Sequence, residues 1–546
     1  MWYWRSGVVL PRLCLVQSKT GPTTMECEIN SDEQKTLVSA LQASLQARGG
    51  VELFETHISW VLVAGDEAYK LKKAVRFDFA DFSTLELRRH LCEEELRLNR
   101  RLAPHLYLGV LPVSGTPARP LLGDASAPIE YVVGMRAFPQ QALWSWRIEA
   151  GLLGGAEVDD LARQLSAFHQ ANQQAPRTSS WGTPAALSQA FEQNMDALLQ
   201  LVRGQQHEQA VALRDWRGQA MPVLWPLFAA RKAGGAIREC HGDLHCANIL
   251  TLDGHVAAFD CIEFDPALRW IDVAHELAFT CMDLRQRGRV ALAARLLDRY
   301  LEAGGAYEGV AVFEYYVVLC ALVRAKVELL RAGQVEPVAA ARHRANASAL
   351  LATATAAARV EAPSIIVMHG LSGSGKSALA AQLAELLPAV RLRSDVERKR
   401  MHGLALHARP DADAKARMYG QAASSAVYNR LGELAEILVR AGKTALIDAC
   451  SLKRRERDAF RALGARLGVP VRLVSVRASE ATLRQRIRER SARGGDPSDA
   501  DERVLELQLR VQEPLAPDEM ADVLVVESDE SLDLERVVQA LVKRSS

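Results

Sequence analysis

Residues 364–387 read SIIVMHGLSGSGKSALAAQLAELL. An Ile- and Val-rich run opens the stretch, an Ala- and Leu-rich helical run closes it, and between them Gly370-Leu371-Ser372-Gly373-Ser374-Gly375-Lys376-Ser377 fits GxxxxGK[ST]. A strand that turns through glycines into a helix aims backbone N–H groups and the positive helix end at one point, which is how proteins cradle phosphate. In this pattern Lys376 reaches the β- and γ-phosphates and the Ser377 hydroxyl ligates Mg²⁺, with Gly370, Ser372, Gly373, Ser374 and Gly375 forming the loop. A purely structural Gly-rich turn has no need of Lys-Ser in this register. Further β-rich runs at 389–392, 444–447, 471–476 and 523–526 alternate with helical patterns, which predicts a parallel α/β sheet.

The residues around this loop point toward phosphoryl transfer and away from hydrolysis. The strand Thr444-Ala445-Leu446-Ile447-Asp448 ends in an Asp that can organise Mg²⁺, yet Ala449-Cys450 follow where a hydrolysing ATPase carries a glutamate. Asp395 and Arg398 stand three residues apart beyond a strand's C-terminal end, where open α/β sheets bind ligands. There Asp395 could accept a hydroxyl proton and Arg398 could hold the acceptor or the γ-phosphate. Arg484, Arg486, Arg490 and Arg493 lie in a basic helix ending at Gly494-Gly495, suited to a lid. For any single arginine of that helix the plain alternative is a solvated face. The segments GLSGSGKS, RSDVER, ALIDAC and SARGGDPSD together resemble the small P-loop kinases, namely the kinase half of bacteriophage-type polynucleotide kinases and the zeta-toxin and gluconate-kinase-like group. The resemblance spans most of 364–512 and implies ATP as donor, Asp395 as the acceptor-activating base and Arg493 as a phosphate clamp.

A second dense polar stretch lies upstream. His241-Gly242-Asp243-Leu244-His245-Cys246-Ala247-Asn248-Ile249-Leu250 sets an Asp five residues before an Asn, and Phe259-Asp260 follow a turn at Asp253-Gly254. In kinase chemistry Asp243 takes the substrate hydroxyl proton, while Asn248 and Asp260 offer oxygens to Mg²⁺. Zinc held by Cys240, His241, His245 and Cys246 is the competing reading, but no second Cys or His pair follows at finger spacing. The segment resembles the aminoglycoside phosphotransferase family. That resemblance implies a bilobal protein-kinase-like fold in which Lys70 pairs with the α- and β-phosphates, with Lys72 as runner-up. It implies Glu95 as the lysine's partner, with Glu93 and Glu94 close by, and residues 131–138 as the adenine hinge. No GxGxxG precedes Lys70, only Val63-Ala64-Gly65-Asp66, so the phosphate cover is expected to be minimal. The whole order from about Met25 onward resembles bacterial proteins described as bifunctional aminoglycoside phosphotransferase and ATP-binding proteins.

The expected architecture is therefore mixed, α/β and α+β: a kinase-like domain at 25–345, a linker at 346–363 and a P-loop kinase domain at 364–546. Residues 1–24 are basic, carry no acid and are expected to be a disordered or misassigned extension. Within the first domain, 59–63 and 68–72 should form a hairpin about Gly65-Asp66, 84–102 a helix and 129–135 a buried strand. A chain of 546 residues requires more than one core. With 67 Lys plus Arg against 66 Asp plus Glu, no global field draws nucleic acid. The last 183 residues carry 30 basic and 26 acidic residues, only +4, which does not demand a nucleic-acid groove. Small-molecule hydroxyl compounds are thus the expected partners; a polynucleotide 5′-hydroxyl and a nucleotide-sensing regulatory role are the alternatives. No apolar run reaches the roughly 18 residues of a membrane span, and nine irregularly spaced cysteines fit free thiols in the cytoplasm. The tryptophans Trp144, Trp146, Trp181, Trp216 and Trp225 read as helical-lobe packing, and Arg324 and Lys326 as partners of Asp272 or Glu276.

Overall fold

A computed structural model describes residues 30–46, 50–77, 80–359, 362–387, 389–493, 498, 500–529 and 533–543. The expected extension at 1–24 lies outside these. Two compact units emerge: Met1–Arg289 with Phe313–Ala358, and Val290–Val312 with Arg359–Ser546.

The first unit opens with a six-stranded antiparallel sheet in the order Val51–Glu55, Ser59–Ala64, Glu67–Lys72, Glu130–Arg136, Tyr107–Thr116, Arg119–Leu122. Alternation along Ser59–Ala64 sends Trp60, Leu62 and Ala64 to one face and Val61 and Val63 to the other, so both faces need cover. Helix Ser31–Leu45 supplies it on one side through Leu37, Val38 and Leu41. On the other side helix Leu85–Asn99 packs against Glu130–Arg136 and Tyr107–Thr116. That second helix starts where the Thr84 hydroxyl accepts the Leu87 N–H, as N-cap chemistry dictates. The Gly65-Asp66 turn does join the Ser59–Ala64 and Glu67–Lys72 strands. The rest of the unit is helical, interrupted by the hairpin Ile249–Leu252 with His255–Ala258 and by the pair Ile237–Glu239 with Trp270–Asp272.

The second unit is a five-stranded parallel sheet ordered Ala389–Arg393, Thr444–Asp448, Ile365–His369, Val471–Arg477, Val523–Glu527. Each of the five β-rich runs forms one strand. Helix Val290–Gly304, far upstream in sequence, belongs here: it packs on helix Lys376–Leu386 and on edge strand Ala389–Arg393. The expected linker begins inside a helix, Pro337–Ala357, because alanine's propensity carries the turn on until well before Pro363. The seven cysteines within the described residues are free, and no helix there is long and apolar enough to cross a membrane.

Candidate active site

In the first unit the loop 241–248 is held by its own backbone donors. The Glu276 carboxylate accepts the N–H groups of His241 at 2.8 Å and Gly242 at 2.9 Å, Asp283 accepts that of Cys246 at 2.8 Å, and Thr280 donates to the Leu244 carbonyl at 2.6 Å. Gly242 sits at φ +88°, where a Cβ would lie 2.7 Å from the Leu268 carbonyl oxygen, so glycine is required. This bracket presents Asp243, which is buried. The Asn248 amide donates to the Asp243 carbonyl at 2.9 Å and to its Oδ2 at 3.2 Å, and His245 Nε2 stands 3.4 Å from the same carboxylate. Burial alone would raise the Asp243 carboxyl; the charges of His245, Arg324 and His241 outweigh it and hold the group below its ordinary value.

Opposite lies a five-residue ionic cluster. Lys70 Nζ is 2.8 Å from Glu95 Oε1 and 2.7 Å from Asp260 Oδ1. Lys72 Nζ is 2.6 Å from Glu95 Oε2 and also contacts Glu263. Both lysines therefore share Glu95, and Lys70 is the one that touches Asp260. Glu93 and Glu94 face outward, paired with Arg89 and Arg97 on their own helix. Burial opposes the charge on Glu95, but Lys70 and Lys72 outweigh it and bring the carboxyl to about 2. Asp260 adopts φ +63°, a conformation that costs a non-glycine residue about 1–3 kcal/mol and marks a position fixed by its surroundings. Its N–H donates to the Tyr107 hydroxyl at 3.2 Å.

Two sequence readings are corrected here. Residues 131–136 are not a free hinge: they lie in strand Glu130–Arg136, paired on both sides, and the chain leaves the sheet only at Ala137, whose N–H donates to Asp66 O. The Gly65-Asp66 hairpin forms as expected, and the turn between Val51–Glu55 and Ser59–Ala64 is Thr56-His57-Ile58, closed by the Thr56 hydroxyl and containing no glycine. Arg324 pairs with neither Asp272 nor Glu276, and Lys326 donates to Asn194 Oδ1 at 2.5 Å; Arg231 takes Asp272, and His241, Gly242 and His169 engage Glu276. The supposed zinc set does not converge either. Among the described residues the donors that approach one another are His169, Cys240 and Glu276.

In the second unit strand Ile365–His369 turns through Gly370, Gly373 and Gly375, all at positive φ, into helix Lys376–Leu386. A Cβ on Gly370 would meet the Val476 carbonyl oxygen at 2.4 Å and one on Gly373 the Leu483 carbonyl oxygen at 2.6 Å. Ser377 Oγ donates to Asp448 Oδ1 at 2.8 Å. Lys376 is half-buried, which lowers its affinity for a proton; Cys450, Asp448 and Asp395 reverse that and raise it above the ordinary value. The P-loop lysine and both carboxylates thus gather at the strand ends. Asp448 Oδ2 and Ser374 Oγ are buried without a hydrogen-bond partner. Asp448 Oδ2 also faces Arg393 Nε at 3.4 Å and Arg391 Nη1 at 3.8 Å. Those two arginines are held in turn by Asp298 and Glu302 of helix Val290–Gly304, at 2.7 to 3.1 Å.

Arg398 does not project into open space: it is buried, donates to the Met418 carbonyl at 2.6 Å and stacks 4.5 Å from the Tyr419 ring. The side chain of Arg493 lies outside the described residues, as do Gly494 and Gly495. Of the basic helix, Arg486 is the residue placed on the loop, donating to the carbonyls of Ser374 at 3.3 Å and Ser528 at 2.8 Å, while Arg484 and Arg488 pair with surface glutamates. Leu483 and Ile487, buried beside it, form the apolar stripe that could have marked Arg486 in the sequence. Gln508, which no motif flagged, accepts the Ser372 N–H at 2.8 Å.

These arrangements define a protein built from a kinase-like phosphotransferase domain followed by a P-loop kinase-like domain. The family model described as "Phosphotransferase enzyme family" matches residues 82–313, and that described as "AAA domain" matches 365–515. An uncharacterized protein of Mycobacterium tuberculosis (strain ATCC 25618 / H37Rv) is 32% identical over 405 residues, which is 73% of this chain and 78% of the relative. An uncharacterized protein of Mycobacterium bovis matches to the same extent. The chain belongs to the family that these proteins represent. Among solved structures it is similar to a choline/ethanolamine kinase family protein from Mesorhizobium loti, at 15% identity and TM-score 0.35 over 59% of this chain and 99% of that one. It is also similar to the APS kinase CysC of Mycobacterium tuberculosis, at 20% identity and TM-score 0.24 over 34% and 97%.

Proposed function

We propose that the chain is a bifunctional phosphotransferase in which each unit transfers the γ-phosphoryl group of ATP to a hydroxyl of a small molecule. One observation carries this reading: each unit assembles a lysine withdrawn wholly or partly from solvent, a carboxylate of metal-binding type and a second carboxylate able to take a proton. In the first unit these are Lys70, Asp260 and Asp243; in the second they are Lys376, Asp448 and Asp395. Oxygen donors from Asn248 and Asp260, and from Ser377 and Asp448, whose Oδ2 accepts no hydrogen bond, suit a hard cation. Mg²⁺, when bound, neutralises charge on the β- and γ-phosphates.

The chain's own part follows from geometry. Asp243, kept ionised, accepts the acceptor hydroxyl proton as the new O–P bond forms; the bond from the γ-phosphorus to the β,γ-bridging oxygen breaks and ADP leaves with that electron pair. Lys70, fixed by Glu95, steadies the donor phosphates. In the second unit Asp395 takes the equivalent proton, Lys376 binds the phosphates and Arg486 holds the loop's shape.

A second reading has the P-loop unit sense nucleotide without transferring its phosphate; in either reading Gln508 must release the Ser372 N–H that phosphate would need. Asp243→Ala and Asp395→Ala, assayed with labelled ATP against sugars, aminoglycosides, nucleosides and oligonucleotides, separate the two. Loss of a distinct product in each variant supports the proposal. Phosphotransfer intact in both would refute it, and loss confined to Asp243→Ala selects the sensor. Labelling of an oligonucleotide 5′-hydroxyl would move the second unit's acceptor to nucleic acid.

A further inference from the structure

Helix Val310–Ala332 is lined along most of its length by buried apolar residues, among them Val317, Val318, Leu322, Ala325 and Val327. Arg324 interrupts that face. Its side chain is half-buried, its Nη1 atom is buried without a hydrogen-bond partner, and among the described residues it makes no hydrogen bond and no ion pair. A guanidinium normally finds a carboxylate or carbonyl when withdrawn from water, and this one has two carboxylates in its field, Asp243 and Asp283. Neither takes it as a contact. Asp283 is engaged by the Cys246 N–H and by Arg287 at 3.0 Å, and Asp243 by Asn248 and His245.

Arg324 forms part of the wall of a cleft of about 1230 Å³ that also includes His245 and Ala247 of the catalytic loop. Neither Asp243 nor the donor-side residues Lys70, Glu95, Asn248 and Asp260 line that space; it meets the catalytic loop at Ala247 and at His245, whose Nε2 stands 3.4 Å from the Asp243 carboxylate. The deep acid on the same wall, Glu328, is already taken by His343 at 2.8 Å and Asn346 at 3.2 Å. The cleft therefore presents a cation with vacant donors and no vacant buried carboxylate.

We propose that Arg324 is a specificity-determining residue of the first unit, binding an oxyanion carried by the acceptor. The substrate class is a hydroxy acid or a phosphorylated polyol. Polycationic aminoglycosides and amino alcohols such as choline are disfavoured, because they would set a positive charge beside an unpaired guanidinium. The planar donor fork of arginine matches both carboxylate and phosphate. The inference rests on the assignment of Asp243 as the proton acceptor.

The test uses the full chain with Mg²⁺ and matched acceptors: glycerol, D-glycerate and glycerol 3-phosphate, with choline, ethanolamine and kanamycin as cationic probes. Phosphotransfer from ATP should be confined to D-glycerate or glycerol 3-phosphate, and preference between them identifies the carboxylate or phosphate source. Arg324→Met should raise the KM of that acceptor about 10- to 100-fold with a smaller change in kcat, and Arg324→Lys should recover part of it. Thermal-shift titration of the two anions onto protein preloaded with Mg²⁺ and AMPPNP reads binding without turnover, and it also shows whether each variant is folded. Anion-dependent stabilisation lost in Arg324→Met but present in Asp243→Ala supports the site even if no acceptor is turned over, in which case the phosphotransferase reading alone fails. Use of the cationic acceptors, no anion-dependent stabilisation in the wild-type protein, or equal stabilisation in wild type and Arg324→Met would overturn it.

Discussion

Glu302→Gln removes one charge from a buried cluster, and its cost can be worked from the structure. The Glu302 carboxylate lies 2.7 Å from both Arg391 and Arg393 and 2.8 Å from Arg299, with its side chain 11% exposed. Burial would raise its pKa; the guanidiniums of Arg393, Arg391 and Arg299 dominate and set it at about 2 against an ordinary 4.5. At about 1.4 kcal/mol per tenfold change in proton affinity, the ionised carboxylate stabilises the fold by about 3 kcal/mol at neutral pH. An independent route, the cost of leaving a buried arginine pair without its counter-ion, gives a similar 3–5 kcal/mol or so. For a domain of this size that is a fall of about 6 to 12 °C in the midpoint of the second unit's unfolding. The sign with pH follows from a depressed folded-state pKa. The contribution is complete above the unfolded value and fades as pH falls through the folded one, so wild type and variant should converge between about pH 5 and pH 2. Scanning calorimetry of both proteins across that range is the assay. A difference under about 1 kcal/mol at pH 7, or one that does not shrink on acidification, would refute the reasoning.

Other substitutions probe separate parts of the structure. Gly373→Ala places a Cβ 2.6 Å from a backbone oxygen at φ +86°, so it should abolish nucleotide binding by the second unit while the first unit's activity persists; calorimetric titration with AMPPNP reads this directly. Lys72→Met should destabilise the first unit by about 3 kcal/mol by leaving Glu263 buried and unpaired, and Glu263→Gln in the same chain should recover much of it in denaturant titrations. Lys70→Met should instead abolish the first unit's phosphotransfer, and no change at Glu95 should restore it, because Lys70 alone of the pair touches Asp260.

What the sequence disclosed depended on whether the signal was local. The P-loop and the five β-rich runs are contiguous patterns, and they fold as strands and loop within a residue or two of where the pattern ends. The pairing of Lys70 with Glu95 followed from family resemblance; periodicity could not have chosen Glu95 over Glu93 or Glu94. Asp298 and Glu302 left no trace, because on an amphipathic helix they read as a solvated face and their partners Arg391 and Arg393 lie about ninety residues downstream. Helix Val290–Gly304 falls within the phosphotransferase family match yet packs on the P-loop sheet, through long-range apolar contacts and ion pairs that composition does not reveal. The spacing of Asp395 and Arg398 suggests a shared ligand, but it could not show that Tyr419 and Met418 draw the guanidinium inward. The hinge was placed too early because an apolar run says that a strand is there but not where its hydrogen-bonding stops.

The central claim is that two separate sites in one chain each move a phosphoryl group from ATP. Product analysis with γ-labelled ATP across an acceptor panel, comparing wild type with Asp260→Ala and Lys376→Ala, tests it most directly. Two labelled products are expected from the wild-type chain, one lost with each substitution and the other retained. A single product removed by both substitutions, or products that survive both, would contradict the claim.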